Sequence, residues 1–579
     1  MTLHRMRRAG LAGIAIATLA LIAVSIGSGA SEQRKRGGTL TIISAGDVDY
    51  VDPGQAYYSF SFQVLKPVHR ALYSIPADKL TAVPDLAAGA ARVSSDGKTV
   101  TVNIKRGIRF SPPLSREVTA ADVKYAIERA FAASLANSYA YAYFSVIAGS
   151  PAKPPKTPKT ISGIQTPRRY TIVFKLKERN GAFVDALVMP ITAPVPKDYA
   201  AKYDNKTTSD YAFFQVATGP YMLANNAAGT VRNIGYTPGK LIRLVRNPNW
   251  SAGSDFRPAY LDQIDIREGF VDNTVASRRI LSGAADHAGD FSPPPAIIKQ
   301  ITSTGSLRDN MYGWPLGTTY VALNTQKRPF NNLNVRRAAN FIVDRNAMRL
   351  AVGGAITGPI ATHFIGPDFK GKGYEAAGGA KFNPFASPGF KGSVAKAKAE
   401  LRKAGFADGM YSGPEMTAVV SNVPTAVNQG RILAASFAKI GMQVNIRAVT
   451  TTAMYTRFCG TPKNQPEICP SVGWLPDFKD PVTLLDPTFN GAFIPPSGNV
   501  NWPQLNDRRI NAAMERAKRI RNAKARYAAW GRIDKMIALT AAAIPLQWTT
   551  TLNLISDRVR PAKMLDVQGQ LDLAFTSLK

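Results

Sequence analysis

Leu433, Phe437 and Ile440 recur at helical spacing, Gly441 breaks the pattern, and Val444-Asn445-Ile446 then alternates apolar with polar. Helix, glycine and strand in immediate succession are the punctuation of an α/β layer, in which a helix folds back over a sheet. No segment repeats with a period of 20–50 residues, which excludes solenoids and propellers. A chain of 579 residues exceeds what one simple core holds, so two or three lobes are expected.

The same reading extends along the chain. Thr39 to Ile43 reads as a first strand, and Asp52-Pro53-Gly54 as a turn. Asp96-Gly97 signals a hairpin whose second strand alternates Val100, Val102 and Ile104 with polar neighbours. Thr119 to Asp122 forms a capping box, opening a helix with Val123, Ala126, Ile127, Ala130 and Phe131 on its apolar face. Residues 148–160 are rich in Pro and Lys and read as an exposed loop. Tyr170, Ile172, Phe174 and Leu176 alternate as another strand, and Leu241 to Val245 lies in a further β-rich stretch.

A helix from about Asn334 buries Val335, Ala338, Ala339 and Ile342. The next one buries Val394, Ala397, Leu401 and Ala404 and stops at Gly405. Arg345 reads as an exposed or ion-paired helix residue. Ile510, Met514 and Ala517, then Tyr527, Trp530, Ile533 and Ile537, mark two late amphipathic helices, with Pro545 ending the second.

The N-terminus has the anatomy of an export signal. Arg5, Arg7 and Arg8 precede an apolar run from about Ala9 to Ile26, and Ser28-Gly29-Ala30 offers a cleavage site. At roughly 18 residues the run is also just long enough for an uncut membrane anchor. Both readings place the bulk of the chain outside the cytoplasm. In that oxidising setting Cys459 and Cys469, ten residues apart, read as a disulfide. A metal site would need more ligands, and the four histidines are scattered.

The formal charge of +33 invites a nucleic-acid reading. The basic residues are spread over the whole length, however, with no zinc-finger spacing, basic zipper or RNA-binding aromatic motif among them. A solvated basic surface facing an anionic envelope fits better, and no nucleic-acid partner is expected. No nucleophile elbow, phosphate-binding loop, His-Glu-x-x-His or dinucleotide fingerprint occurs. Carboxylate pairs such as Asp477 and Asp480 are what any chain has by chance. The expectation is a binding protein, not an enzyme, with no cofactor and no metal.

Several blocks, in one order, resemble the extracytoplasmic peptide- and nickel-binding proteins that serve bacterial ATP-driven (ABC) importers. They are GGTL (37–40), PDLAAGAARVSSDGKTVTVNIKRGIRF (84–110) with TAADVKYAIERAF (119–131), ATGPYML (217–223), RNPNW (246–250), ILSGAAD (280–286), YVALNTQKRPFNNLNVRRAANFIVDRNAM (320–348), AKAKAELRKAGFADG (395–409), Trp474-Leu475-Pro476-Asp477 and AAIPLQW (542–548). The resemblance implies an α/β fold of the type II periplasmic-binding-protein kind, with two main lobes, an extra inserted lobe and a hinge cleft between them. Residues 1–36 would be the signal peptide or anchor with a basic leader. Lobe I would be discontinuous, at 37–80, 214–314 and 545–579, lobe II an insertion at 81–213, and lobe III 315–544. Two crossings between lobes I and III would form the hinge.

The resemblance also implies that Asp477 holds a ligand ammonium group, since a buried carboxylate needs a cation or several donors; the bland alternative is that it turns a surface loop beside Pro476. Trp474, Tyr57, Tyr58, Trp314, Tyr320 and Trp548 are the aromatic candidates to enclose a ligand, against a plain core role. The implied function is capture of a peptide-like ligand and its delivery to a membrane permease, by a monomer associated with the membrane through that permease or its N-terminal segment. A nickel chelate, an oligosaccharide or a lipid-like molecule in the same fold stays open, as does an anchored envelope sensor or scaffold without transport. Members of this family commonly carry a lipid-modified cysteine after the signal run; Ile26 to Ser31 contains none, so no lipoprotein anchor is expected.

Overall fold

Thr39–Ile43 pairs in parallel with Gln263–Arg267 on one side and with His287–Ala288 on the other. The sheet continues antiparallel through Leu241–Arg246 to Tyr221–Leu223, with Tyr236–Thr237 also on Leu241–Arg246. Its apolar positions, among them Leu40, Ile42, Ile242, Leu244, Ile264 and Ile266, pack with Val64 and Val68 of the helix Ser59–Val68 into one buried cluster. This computed structural model describes residues 34–46, 48–77, 81–135, 137–225, 232–560 and 569–579. The expected signal or anchor segment lies outside them. No helix of the described residues is long and apolar enough to cross a membrane. Lys35–Lys579 forms one compact unit.

A second sheet runs Val444–Val449, Met416–Ser421, Ile468–Trp474, Met311–Leu323, Ala543–Leu554. The first three strands pair in parallel, and Met311–Leu323 pairs antiparallel with both of its neighbours. Parallel neighbours need a crossover: the helix Pro424–Ala438 lies between Met416–Ser421 and Val444–Val449 in the chain and packs on both. Gly441 closes that connection at φ +79°, and a Cβ there would sit 2.5 Å from the Tyr411 carbonyl oxygen. The glycine read as punctuation is therefore required by both backbone angle and space.

A third sheet holds Arg92–Val93, Thr99–Asn103, Thr171–Lys175 and Ile164–Arg168, with Asp96-Gly97 as the hairpin turn and Gly97 at φ +73°. The helix Ala120–Ala130 packs on it, and the Asp122 carboxylate accepts the Thr119 N–H at 2.8 Å.

Met311–Leu323 and Ala543–Leu554 pair along nearly their whole length, with breaks in register after Pro315 and after Thr319. Leu554 joins the apolar cluster around Ile43, whereas Val321, Leu323, Ile544 and Leu546 join the one around Leu433 and Phe437. One two-stranded ribbon thus ties two cores together.

Three expectations need correction. Val394 is 40% exposed: it is the first residue of its helix, whose buried stripe is Ala397, Glu400 and Leu401. Pro545 does not end a helix; that helix stops at Leu539, Ala541 takes φ +53°, and Pro545 lies in the ribbon at its break in register, where the lost donor is tolerated. Arg345 is neither exposed nor ion-paired among the described residues. It is buried and donates to the carbonyls of Ala361 and Phe385 at 3.2 and 2.8 Å, and burial lowers its guanidinium to about 10.

Candidate functional site

The turn Asp52-Pro53-Gly54 delivers Tyr57 and Tyr58, and buried charge fixes where it goes. Arg129 reaches Asp52 with two bonds of 2.7 and 2.8 Å and Asp204 with two of 2.7 and 2.6 Å, all three side chains fully buried. Asn137 donates to the Gly54 carbonyl at 2.8 Å and accepts the N–H groups of Tyr139 and Ala140 at 2.8 and 3.2 Å. It therefore ties this turn to the next wall. Asp49 accepts the N–H groups of Tyr57 and Tyr58 at 2.7 and 3.2 Å and the Ser61 hydroxyl, at the N-terminus of Ser59–Val68. Burial pushes its carboxyl up to about 6.

The second wall is a π-helical turn, Ala140–Phe144. Winding the chain this way stacks Tyr139 on Tyr143 with ring centroids 5.8 Å apart. The third wall comes from another π-helical turn, Met454–Cys459, preceded by Thr451 and Thr452, and from the end of the strand Ile468–Trp474. The disulfide Cys459–Cys469 joins these two elements across 6.1 Å between Cα atoms. Both cysteines are fully buried, so the bond staples a helical turn to a strand inside the core rather than stiffening a surface loop. Local π-helical turns recur at functional sites, and here both flank one chamber.

That chamber has a volume of about 320 Å³ and is lined by Tyr57, Tyr58, Tyr139, Tyr455, Trp474 and Asp477, with Phe60, Phe62 and Gln570 among the rest. Trp474 lies 5.7 Å from Tyr57 and 6.3 Å from Tyr139 between ring centroids. Asp477 is 5% exposed. Tyr143, and with it Tyr139, donates a hydroxyl to its carboxylate, and among the described residues it has no ion-pair partner. Burial raises it to about 7, with the two hydroxyls holding it down in part. Asp480, three residues on, is different: Arg526 pairs with it at 2.8 Å. Asp477 is thus a desolvated acid at the end of an aromatic chamber, not a loop-capping residue.

Four of the seven candidate residues, Asp477, Trp474, Tyr57 and Tyr58, come together here. The ribbon candidates do not line this chamber. Trp548 is buried, donates its indole N–H to the His363 carbonyl at 3.1 Å, and packs on His363 and Tyr374. Tyr320 is buried against Phe364, Phe489 and Trp502. Trp314 sits half-buried on the ribbon opposite Thr551. Sequence reading missed Tyr139, Tyr143 and Tyr455. The run Tyr139-Ala140-Tyr141-Ala142-Tyr143 was the available signal, though its alternation imitates a strand.

A larger chamber of about 570 Å³ adjoins the first and shares Gly46, Asp290, Thr451 and Thr452 with it. Thr319, Gln547, Thr549 and Thr550 of the ribbon line it, together with Thr450 and Ser471. No group of His, Cys, Asp and Glu among the described residues could hold a metal ion.

Residues 81–494 match the family model for bacterial extracellular solute-binding proteins, family 5 Middle. Among curated relatives, heme-binding protein A of Haemophilus influenzae is 22% identical over 81% of this chain and 79% of its own length. Di/tripeptide-binding protein 1 of Pseudomonas aeruginosa is 27% identical over 68% of this chain and 67% of its own. Among solved structures, clavulanic acid biosynthesis oligopeptide binding protein 2 superposes with a TM-score of 0.79 at 26% identity, covering 94% of this chain and 96% of that one. The periplasmic binding protein DppA from Helicobacter pylori, in complex with the peptide STSA, gives 0.78 at 21% identity over 94% and 99%.

Proposed function

The chain belongs to the bacterial extracellular solute-binding proteins of family 5, and from that premise we propose that it captures a peptide-like ligand between its lobes and hands it to an ABC-type membrane permease. The observation that carries this reading is Asp477: an acid buried with no counter-ion among the described residues, in a chamber walled by four tyrosines and a tryptophan. A ligand ammonium group supplies the missing cation, and the flat rings enclose the first residues of the peptide behind it. The relatives and solved structures with peptide in their names support the choice of ligand class.

Capture requires opening. The proposed division into lobe I (37–80, 214–314, 545–579), lobe II (81–213) and lobe III (315–544) is supported by the sheets, since the first draws its strands from lobe I and the third from lobe II. The ribbon Met311–Leu323 with Ala543–Leu554 then serves as the hinge, and ligand shifts the population toward the closed form. ATP is hydrolysed elsewhere in the importer, and this chain leaves its ligand chemically unchanged. The chain acts outside the cytoplasm, as a monomer.

The reading is tested by differential scanning fluorimetry of the purified protein against pooled synthetic peptides of two to eight residues. Peptides should raise the melting temperature, and Asp477→Ala should remove most of that rise. Stabilisation by sugars or metal chelates alone would refute the peptide assignment.

A further inference from the structure

The chain carries 72 Lys and Arg against 39 Asp and Glu, yet both charged residues that line its two connected chambers are acids, Asp477 and Asp290. Among the described residues no Lys, Arg or His lines either one. Lys66 lines a separate cavity of about 30 Å³ that shares only Phe62 and Asp477 with the first chamber; His69 lines it too, but burial lowers that imidazole to about 4 and leaves it neutral. That cavity has the space of one water molecule, too little for a carboxylate with a chain behind it.

What the larger chamber offers instead is neutral. Most of its lining is Ser, Thr, Asn and Gln, and its one carboxylate, Asp290, accepts the N–H groups of Ala45 and Gly46 at 2.7 and 3.0 Å. Two buried polar atoms point to what such a lining is for. The indole Nε1 of Trp474, a residue lining the first chamber, and the hydroxyl of Ser471, a residue lining the second, are buried with no hydrogen-bond partner among the described residues. Ser471 is moreover held at φ +56° within its strand, a costly conformation for a residue with a Cβ. Buried donors and acceptors left open are satisfied by something, and these two match the carbonyl and amide groups of an extended chain. Each chamber has the size of a ligand pocket, and the two adjoin through Gly46, Asp290, Thr451 and Thr452.

Resting on the peptide reading above, we infer that the ligand is a linear peptide held at its ammonium end and along its amides, with its carboxyl end unanchored. A chain that carries +33 yet lines these two chambers with no cation among its described residues selects against anions there. The ligand class is therefore peptides that are neutral or basic beyond the first residue, whether the C-terminus is free, amidated or prolonged.

The experiment uses one hexapeptide library, randomised at all positions and synthesised in three forms: both ends free, C-terminal amide, and N-acetylated. Each is incubated with the full-length protein, and retained peptides are quantified by mass spectrometry after size exclusion. Retention of the free-acid and amide forms should agree within about threefold, and N-acetylation should lower retention at least about tenfold. Retained sequences should be depleted in Asp and Glu relative to the input. Tenfold weaker retention of the amide form would overturn the inference and leave the peptide reading standing. Retention of none of the three would overturn both.

Discussion

Asp477→Asn tests the site through pH. Burial raises the Asp477 carboxyl from its ordinary 3.8 to about 7, so between these values the folded protein holds a proton that the unfolded chain has released. Stability of the ligand-free protein must therefore fall as pH rises through that window and be lowest, as far as this group decides, above pH 7. That rise corresponds to about 4 kcal/mol at most, and the group is only 5% exposed, so little is lost to solvent screening. Asparagine carries no charge at any pH. It still accepts from Tyr143 but brings an amide N–H₂ that needs a partner, at a cost of about 1 kcal/mol. Ligand-free Asp477→Asn should thus match the parent protein at pH 5 and exceed it by roughly 2–3 kcal/mol at pH 8 in urea denaturation. Asp49, raised to about 6, titrates in the same range, and the difference between parent and variant cancels its contribution.

The ligand has the opposite preference. An ammonium at about 4 Å gains roughly 4 kcal/mol from an ionised carboxylate at an effective dielectric constant near 20, which offsets the burial penalty and drives the proton off. Calorimetry in two buffers of different ionisation enthalpy should show about 0.9 proton released per peptide at pH 6; at pH 8 Asp477 releases only about 0.1 while the peptide's amino group takes up roughly half a proton, so the net turns to uptake. Affinity should rise about tenfold per pH unit below 7, and decline above pH 8 as the peptide's own amino group, near 7.7–8.0, loses its charge. Equal pH dependence of parent and variant, or binding without proton release at pH 6, would refute the argument that Asp477 is a buried acid awaiting a cation.

Replacing the disulfide, as Cys459→Ser with Cys469→Ser, should cost roughly 3 kcal/mol by loop entropy and weaken peptide binding, because Tyr455 and Trp474 stand on the two elements it joins; reducing agent should reproduce both effects in the parent. Arg129→Met leaves Asp52 and Asp204 buried and unpaired, and urea denaturation should register a loss of about 3–5 kcal/mol. Trp474→Phe keeps a ring in the wall but removes the indole N–H, and peptide affinity measured by calorimetry should drop about fivefold, one hydrogen bond's worth.

Much of this molecule was legible because its signals are local. The Asp96-Gly97 hairpin, the Thr119 cap, the Gly441 break and the cysteine pair each depend on neighbours within a dozen residues, and each stands in the structure as read. Asp477 and Trp474 were legible only through family resemblance, since nothing near Pro476 tells a buried acid from a loop acid. Their partners were not legible. Tyr143 reaches Asp477 across 334 positions of sequence, and its period-two run reads as strand until the chain is wound into a π turn.

The ribbon shows why aromatic candidates cannot be sorted by type. Successive strand residues face opposite sides, and the phase decides which side is the cleft. Thr319, Gln547 and Thr549 line the larger chamber, joined by Thr550 where the ribbon's register breaks, whereas Tyr320 and Trp548, one step along the same strands, pack into aromatic clusters. Had the register of either strand slipped by one residue, large rings would have filled the chamber and threonines the core. The phase is set by long-range packing: Tyr320 needs Phe364, Phe489 and Trp502 around it, and Trp548 needs the His363 carbonyl. The larger chamber is polar because the rings beside it are spent on the core. That assignment can be tested at one position: Thr549→Trp, which turns a ring toward the chamber, should block peptide binding in calorimetry while leaving the fold's circular dichroism intact, and unchanged affinity would show that the wall faces elsewhere.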